Sequence, residues 1–411
     1  MLLHWLWLAT RNMTDNCKAR LLEHFHDPEQ IYFAEEDSFG ELEFLTEKGA
    51  ESLKDKSLEE SRQILSDCTD LEIQILTLAD SKYPNKLKNI SDPPVVLYYR
   101  GKLPDFDGNA VIGVVGTRSA SAYGLKCAKQ MGYQIARCGG ILVSGMAKGI
   151  DRAAMEGALM AGGPVVGILG CGVDVIYPAA NKGLFHDTVR FGCLLSEFPP
   201  KTPPYHYNFP RRNRNISGLS DGVLVVEAPA RSGALITARQ AMDQGRDVFV
   251  VPGNIDVASA QGSNALLRDG AMPAGCGWDV VGEYEGRYPG KVKDAGQGKV
   301  NFSSEAGELA QVAQKNQKTG AKPVKKKQLP KKVIDNPENE PYIDLTKILP
   351  SLSETERVIV SQLAGGGKLA DDIIADSGIS TPVVLSCLTI LEVRGIVRRL
   401  PGRMFELAGE K

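Results

Sequence analysis

Between Asn208 and Ser220 the chain reads N-F-P-R-R-N-R-N-I-S-G-L-S. Arg211, Arg212 and Arg214 are interleaved with Asn213 and Asn215 directly behind Phe209, and the strand-like run Val223–Val226 follows Asp221 and Gly222. A guanidinium is a planar fork of donors that matches phosphate oxygens and stacks on base faces. An arginine run can also be a solvated helix start. Phe209 and Ile216 argue against that, because both would pin the segment to a core. The cluster is expected on a short helix or turn that feeds a central strand at the rim of a sheet. The chemistry it offers is anion binding.

Other small and polar residues recur where strands should end. They are Gly116-Thr117-Arg118, Ser144-Gly145 with Lys148 and Asp151 behind, Gly170-Cys171-Gly172 with Tyr177-Pro178 beyond, Glu227-Ala228 before Ser232-Gly233, and Gly253-Asn254 before Gly262-Ser263-Asn264. Glycine lets backbone amides approach an anion near a helix start. One such glycine would be a simple turn. Six in register on one edge predict a continuous anion-binding ledge.

The elements that position these residues alternate. Apolar runs at 111–115, 141–144, 165–169, 194–195, 223–226 and 248–251 read as strands, and helical periodicity covers 121–137, 150–160 and 234–244. Strands apolar throughout need both faces covered, which predicts an α/β fold on a parallel, doubly wound sheet. Ligands on such a sheet sit beyond the carboxyl ends of the strands. Short helices are expected before residue 68, and Ile75–Thr77 and Val95–Tyr99 read as two further strands. Residues 69–285 form the sheet domain. Residues 286–345 lose periodicity, and Lys315 to Lys332 holds eight lysines and no acid. That stretch is a solubilising tether or a source of diffuse attraction for nucleic acid. Residues 346–411 read as helix-turn-helix plus hairpin, a winged helix. Its third helix, 380–394, carries Arg394 as its one base, so protein contact and duplex recognition both stay open.

Composition excludes several classes. The 411 residues carry 48 Lys and Arg against 50 Asp and Glu, so any nucleic-acid site is a local patch. Eight cysteines form no C-x-x-C pair, which points to reduced thiols in a cytoplasm, with neither disulfides nor a metal site. The apolar start Met1–Leu8 is too short for a membrane span. The first sheet turn lacks the G-x-G-x-x-G spacing, and strand two ends in Ser144, where a ribose-binding acid would stand, so no dinucleotide or other cofactor is expected. No Walker lysine and no nucleophile elbow is present. Glu197, Glu227 and Asp151 are the acid–base candidates, and helix capping or orienting arginines explains them more simply.

Taken as an ordered set, V-V-G-T-R (114–118), S-G-M-A-K-G-I-D (144–151), F-P-R-R-N-R-N-I-S-G-L-S (209–220), S-G-A-L-I-T-A (232–238), V-P-G-N (251–254) and G-S-N-A-L-L-R-D-G-A (262–271) resemble the DprA (Smf) family of DNA-processing proteins of bacterial transformation. D-S-K-Y-P-N-K-L (80–87) and D-P-P-V-V-L-Y-Y-R-G (92–101) fit as well. The resemblance implies an extended Rossmann-like domain flanked by a small helical domain (1–68, of SAM or helix-hairpin-helix type) and a winged helix. It implies binding of single-stranded DNA, delivery of that strand to the recombinase RecA, a homodimer, and no catalytic residue. The DNA contacts it implies are Arg118 and Arg212-Asn213-Arg214, with the Ser144-Gly145 and Ser232-Gly233 turns near phosphates. Gly116, Thr117, Lys148, Arg211, Asn254 and Asn264 are added as neighbouring contacts. Asn215 departs from the apolar residue usual after the R-N-R triplet. The alternative is a phosphoribohydrolase-like enzyme on a similar sheet. That class has a P-G-G-x-G-T-x-x-E loop where this chain has 230–237 and no following glutamate.

Overall fold

The computed structural model describes residues 1–40, 42–295 and most of 352–407. Six helices come first: α1 (Leu2–Thr10), α2 (Asp15–Phe25), α3 (Pro28–Phe33), α4 (Asp37–Gly40), α5 (Glu47–Lys54) and α6 (Glu59–Asp70). Thr14, Asp27 and Thr46 cap α2, α3 and α5 by accepting first-turn amides. Trp5, Leu6, Trp7 and Leu8 of α1 are buried.

A nine-stranded sheet follows, in the order β1-β2-β6-β5-β4-β3-β7-β8-β9. Its strands are β1 (Gln74–Thr77), β2 (Val96–Gly101), β3 (Val111–Val115), β4 (Ile141–Ser144), β5 (Val165–Ile168), β6 (Cys193–Ser196), β7 (Gly222–Val225), β8 (Asp247–Val250) and β9 (Met272–Pro273). The strands from β3 to β9 pair parallel, as the unbroken apolar runs predict. β2 alone is reversed, pairing antiparallel with both β6 and the edge strand β1. The connecting helices are α7 (Asn85–Lys88), α8 (Ala122–Arg137), α9 (Ile150–Met160), α10 (Lys182–Phe191), α11 (Asn208–Leu219), α12 (Gly233–Asp243), α13 (Gln261–Arg268) and α14 (Trp278–Val281).

Alternation along each strand sends side chains to two cores. Ile112 and Val114 meet Met131 and Ile135 of α8 and Ala154 of α9. Val111 and Val115 meet Ile216 and Leu219 of α11 and Ala238 of α12. The first core also takes in Trp5, Leu6 and Tyr98, so it runs without a break from α1 into the sheet. The helices expected as a separate domain over 1–68 thus belong to one compact unit with the sheet.

The chain winds from β3 through β4, β5 and β6 to one side, then returns to place β7 against β3 on the other. The carboxyl end of β3 is therefore the switch point, where such sheets leave a crevice.

The C-terminal residues form a second compact unit. It contains α15 (Glu354–Leu363), α16 (Ala370–Ser377) and a three-stranded sheet of β10 (Lys368–Leu369), β11 (Val397–Leu400) and β12 (Met404–Leu407), ordered β10-β12-β11. Ile359, Leu363, Ile373, Phe405 and Leu407 share its core. The lysine-rich stretch Lys315 to Lys332 and parts of the expected helix 380–394 lie outside the described residues. Among the described residues no helix is long and apolar enough to cross a membrane, and no group of three acid, His or Cys side chains could hold a metal.

Candidate nucleic-acid interface

Of the short helix or turn expected ahead of a central strand, the arginine motif takes the helix and leads into β7. It forms α11, a helix of 12 residues. Pro210 sits in its first turn, where a missing amide hydrogen costs nothing. The helical period splits the motif into two faces. Arg211, Arg214 and Asn215 share one. Phe209, Arg212, Asn213 and Ile216 share the other.

The first face is an ion-pair network reaching into α2. Arg214 bonds Glu197 at 2.6 and 3.0 Å, Asp15 at 2.5 Å and Asp92 at 2.8 Å. Arg211 reaches Asp15 at 2.7 Å and Glu197 at 3.0 Å, and Asn215 donates to Glu197 at 3.0 Å. Burial works to raise the Asp15 carboxyl, but Lys18, Arg211 and Arg214 together overcome it and hold the group below its ordinary range. Arg214 is buried with its fork filled by carboxylates. The structure thus makes it a buttress of α11, where the sequence suggests a phosphate ligand.

The second face floors a cleft of about 530 Å³ at the switch point, between the loops that follow β3 and β7. Arg212 is buried there, donating to the Gly145 carbonyl at 2.7 Å and to the Ile168 carbonyl. Its Nε is buried without a hydrogen-bond partner. Burial pulls this guanidinium down to about 10, against the pull of Asp151, so it stays a cation at neutral pH. Asp151 is also buried, and one of its oxygens accepts the amides of Gly145 at 3.1 Å and Ala147 at 3.4 Å. Burial raises its carboxyl, opposed chiefly by Arg212. Arg118 is exposed at the mouth and lies 5.4 Å from the Phe209 ring centroid. Tyr177 also packs on that ring, with centroids 5.5 Å apart and planes tilted by 30°.

Two glycines are required here. A Cβ on Gly145 would stand 2.7 Å from an Arg212 nitrogen and 2.8 Å from Asp151, and one on Gly170 would stand 2.8 Å from the Phe209 ring.

The structure gathers Gly116, Thr117, Arg118, Arg212, Asn213, Ser232 and Gly233 into this cleft. Gly145 and Lys148 line an adjoining hollow of about 450 Å³ that shares Arg118, Phe209 and Arg212. Besides Arg214, four expected contacts stand elsewhere. The Ser144 hydroxyl is fully buried and donates to the Val114 carbonyl at 2.7 Å. Arg211 is turned to Asp15 and Glu197. Asn264 clasps both backbone atoms of Gly253, at 3.0 and 3.1 Å, in a separate depression behind α12. Asn254 is exposed in the loop beside it. The ledge expected along the whole edge is thus two joined hollows and one apart. The Ser232 hydroxyl caps α12, accepting the Ala234 amide at 3.3 Å. Glu227 receives the Ser121 hydroxyl at 2.9 Å ahead of α8, a helix-start role. Sequence reasoning passed over Arg231 and His206, which line the cleft. Arg231 had a signal, since it lies in the loop after β7, as Arg118 lies in the loop after the parallel neighbour β3.

The model of DNA recombination-mediator protein A matches residues 74–285, and that of the DprA winged helix domain matches residues 345–403. The protein Smf of Synechocystis is 32% identical over 98% of both chains. The DNA processing protein DprA of Streptococcus pneumoniae is 42% identical over 51% of this chain and 73% of its own. The crystal structure of S. pneumoniae DprA superposes with a TM-score of 0.59 at 34% identity, covering 67% of this chain and 95% of that one. With a family model over more than half its length and a full-length Smf relative, the chain belongs to the DprA/Smf family of DNA recombination-mediator proteins.

Proposed function

We propose that the cleft binds the backbone of single-stranded DNA and that the protein works as a non-catalytic strand-binding mediator. One observation carries this. Four cations, Arg118, Lys148, Arg212 and Arg231, line the two joined hollows against the single carboxylate Asp151, in a chain whose net charge is -2. Such local concentration of positive charge in a concave site attracts phosphate. Hollows of this size admit one chain, not a duplex. Asp151 is engaged with two backbone amides and is badly placed to act as an acid or base in nucleotide cleavage.

The family supports the wider reading: a cytoplasmic homodimer that hands an incoming strand to RecA during DNA uptake. The test is a competition titration of a labelled oligonucleotide with unlabelled single strand or blunt duplex. The single strand should compete better, with little dependence on sequence. Equal or better competition by duplex would contradict the reading, and release of free base from nucleoside monophosphates would favour an enzyme. The rate at which RecA coats a strand, with and without the protein, tests the handover.

A further inference from the structure

The segment just ahead of α11 carries two tyrosines that the cleft does not use. Tyr205 and Tyr207 are stacked, with ring centroids 5.3 Å apart and planes within 9°. They stay 46% and 60% exposed. Single exposed aromatics are ordinary on a protein surface. A preformed stack of two, with each residue about half exposed, is not accounted for by folding.

The segment is held at both ends. The Thr202 carbonyl accepts the Gly172 amide at 3.0 Å, and the Tyr205 carbonyl accepts the Asn208 amide at 3.1 Å. Pro204 and His206 line the cleft, so the residues that alternate with the tyrosines form its wall. His206 also meets Tyr207 edge to face, with centroids 5.5 Å apart. The tyrosine pair therefore stands on the rim of a cation-lined hollow.

We infer that Tyr205 and Tyr207 form a base-stacking platform for the strand whose phosphates the cleft holds. This rests on the strand-binding reading above. Phosphates drawn to Arg118 and Arg231 leave the adjoining bases to project out of the cleft, since bases carry no charge to be held there. A tyrosine presents a flat π-face to any base at small entropic cost, which suits recognition without sequence preference. The hydroxyl is not needed for this. The pair thus extends the site from backbone attraction to base contact, and it requires unpaired bases.

The experiment measures strand affinity as a function of salt for the full chain, for the double variant Tyr205→Ala/Tyr207→Ala and for Tyr205→Phe/Tyr207→Phe. Each is tested with an oligonucleotide and with an abasic strand of the same length. The alanine pair should weaken binding to the normal strand roughly 5- to 100-fold, as expected for one stacked base. The dependence on salt should stay unchanged, because no charge is lost. The phenylalanine pair should bind as the native chain does. On the abasic strand all three should bind alike. If the native chain binds the strand and the alanine pair binds equally well, the platform is refuted and the cleft reading stands. If the native chain does not bind single strands at all, both readings fall. A drop of the same size on abasic DNA would show that the rings serve the shape of the segment and not base contact, and would also overturn the inference.

Discussion

Arg118 and Arg214 belong to the same expected binding set, and the structure gives them opposite surroundings: Arg118 is exposed at the cleft and Arg214 is buried among carboxylates. Replacing Arg214 with alanine removes the partner of Glu197 and Asp15, whose side chains are 3% and 6% exposed. Breaking a buried pair by deleting one partner typically costs about 3–5 kcal/mol, because the other charge stays buried. Arg211 still reaches both carboxylates, which places Arg214→Ala at the low end, about 3 kcal/mol. The unit spans Met1–Gly320, and an unfolding entropy of about 2.1 cal/mol/K per residue turns that loss into a fall of roughly 5 °C in melting temperature. Well below that temperature, strand affinity and its salt dependence should match the native chain, since Arg214 does not line the cleft. Arg118→Ala should do the reverse. Its side chain is exposed and makes no ion pair among the described residues, so stability should move by no more than about 0.5 kcal/mol. The slope of log affinity against log salt should fall by roughly 0.7, the value for one phosphate contact on a single strand. Thermal unfolding and salt titrations on both variants decide the matter. An Arg214→Ala protein that melts normally but loses salt slope would refute the assignment.

Three further outcomes follow from the geometry. Gly145→Ala should weaken strand binding about as much as Arg212→Ala, read by the same titration, because the added Cβ would lie 2.7 Å from the guanidinium and must displace it. Asp15→Asn should melt below the native chain at neutral pH. The Asp15 carboxyl lies below its ordinary value of 3.8 in the folded chain, so its contribution is present above that value and fades as the pH falls through the folded one. The gap between the two melting temperatures should therefore close in acid. Burial pushes the Cys193 thiol up to about 12, so mass spectrometry should find it unlabelled by a thiol reagent at neutral pH until the chain unfolds.

The parallel strands were legible because apolar runs such as Val111–Val115 have no polar face to offer water. The glycine turns were legible as sites of close packing but not what packs there: at Gly145 it is Arg212 and Asp151, and at Gly170 the Phe209 ring. The split of the arginine motif was available in principle. Positions 211, 214 and 215 share one face of a helix, and 209, 212, 213 and 216 share the other, but a short helix or turn has no faces to compare. The partner of Arg214 was beyond reach, since Asp15 lies 199 residues away in the chain. Ser144 and Asn264 show the other limit. A polar side chain at a strand end serves its own backbone as readily as a ligand, and only the fold shows which.

The most direct measurement is a crystal structure of the full chain with a short single-stranded oligonucleotide. The account predicts phosphate oxygens within hydrogen-bond distance of the Arg118 guanidinium at the carboxyl end of β3, with the backbone running through the two joined hollows over Arg212. A strand lying instead on the winged helix, or in the depression beside Asn264, with the switch-point cleft empty, would contradict it.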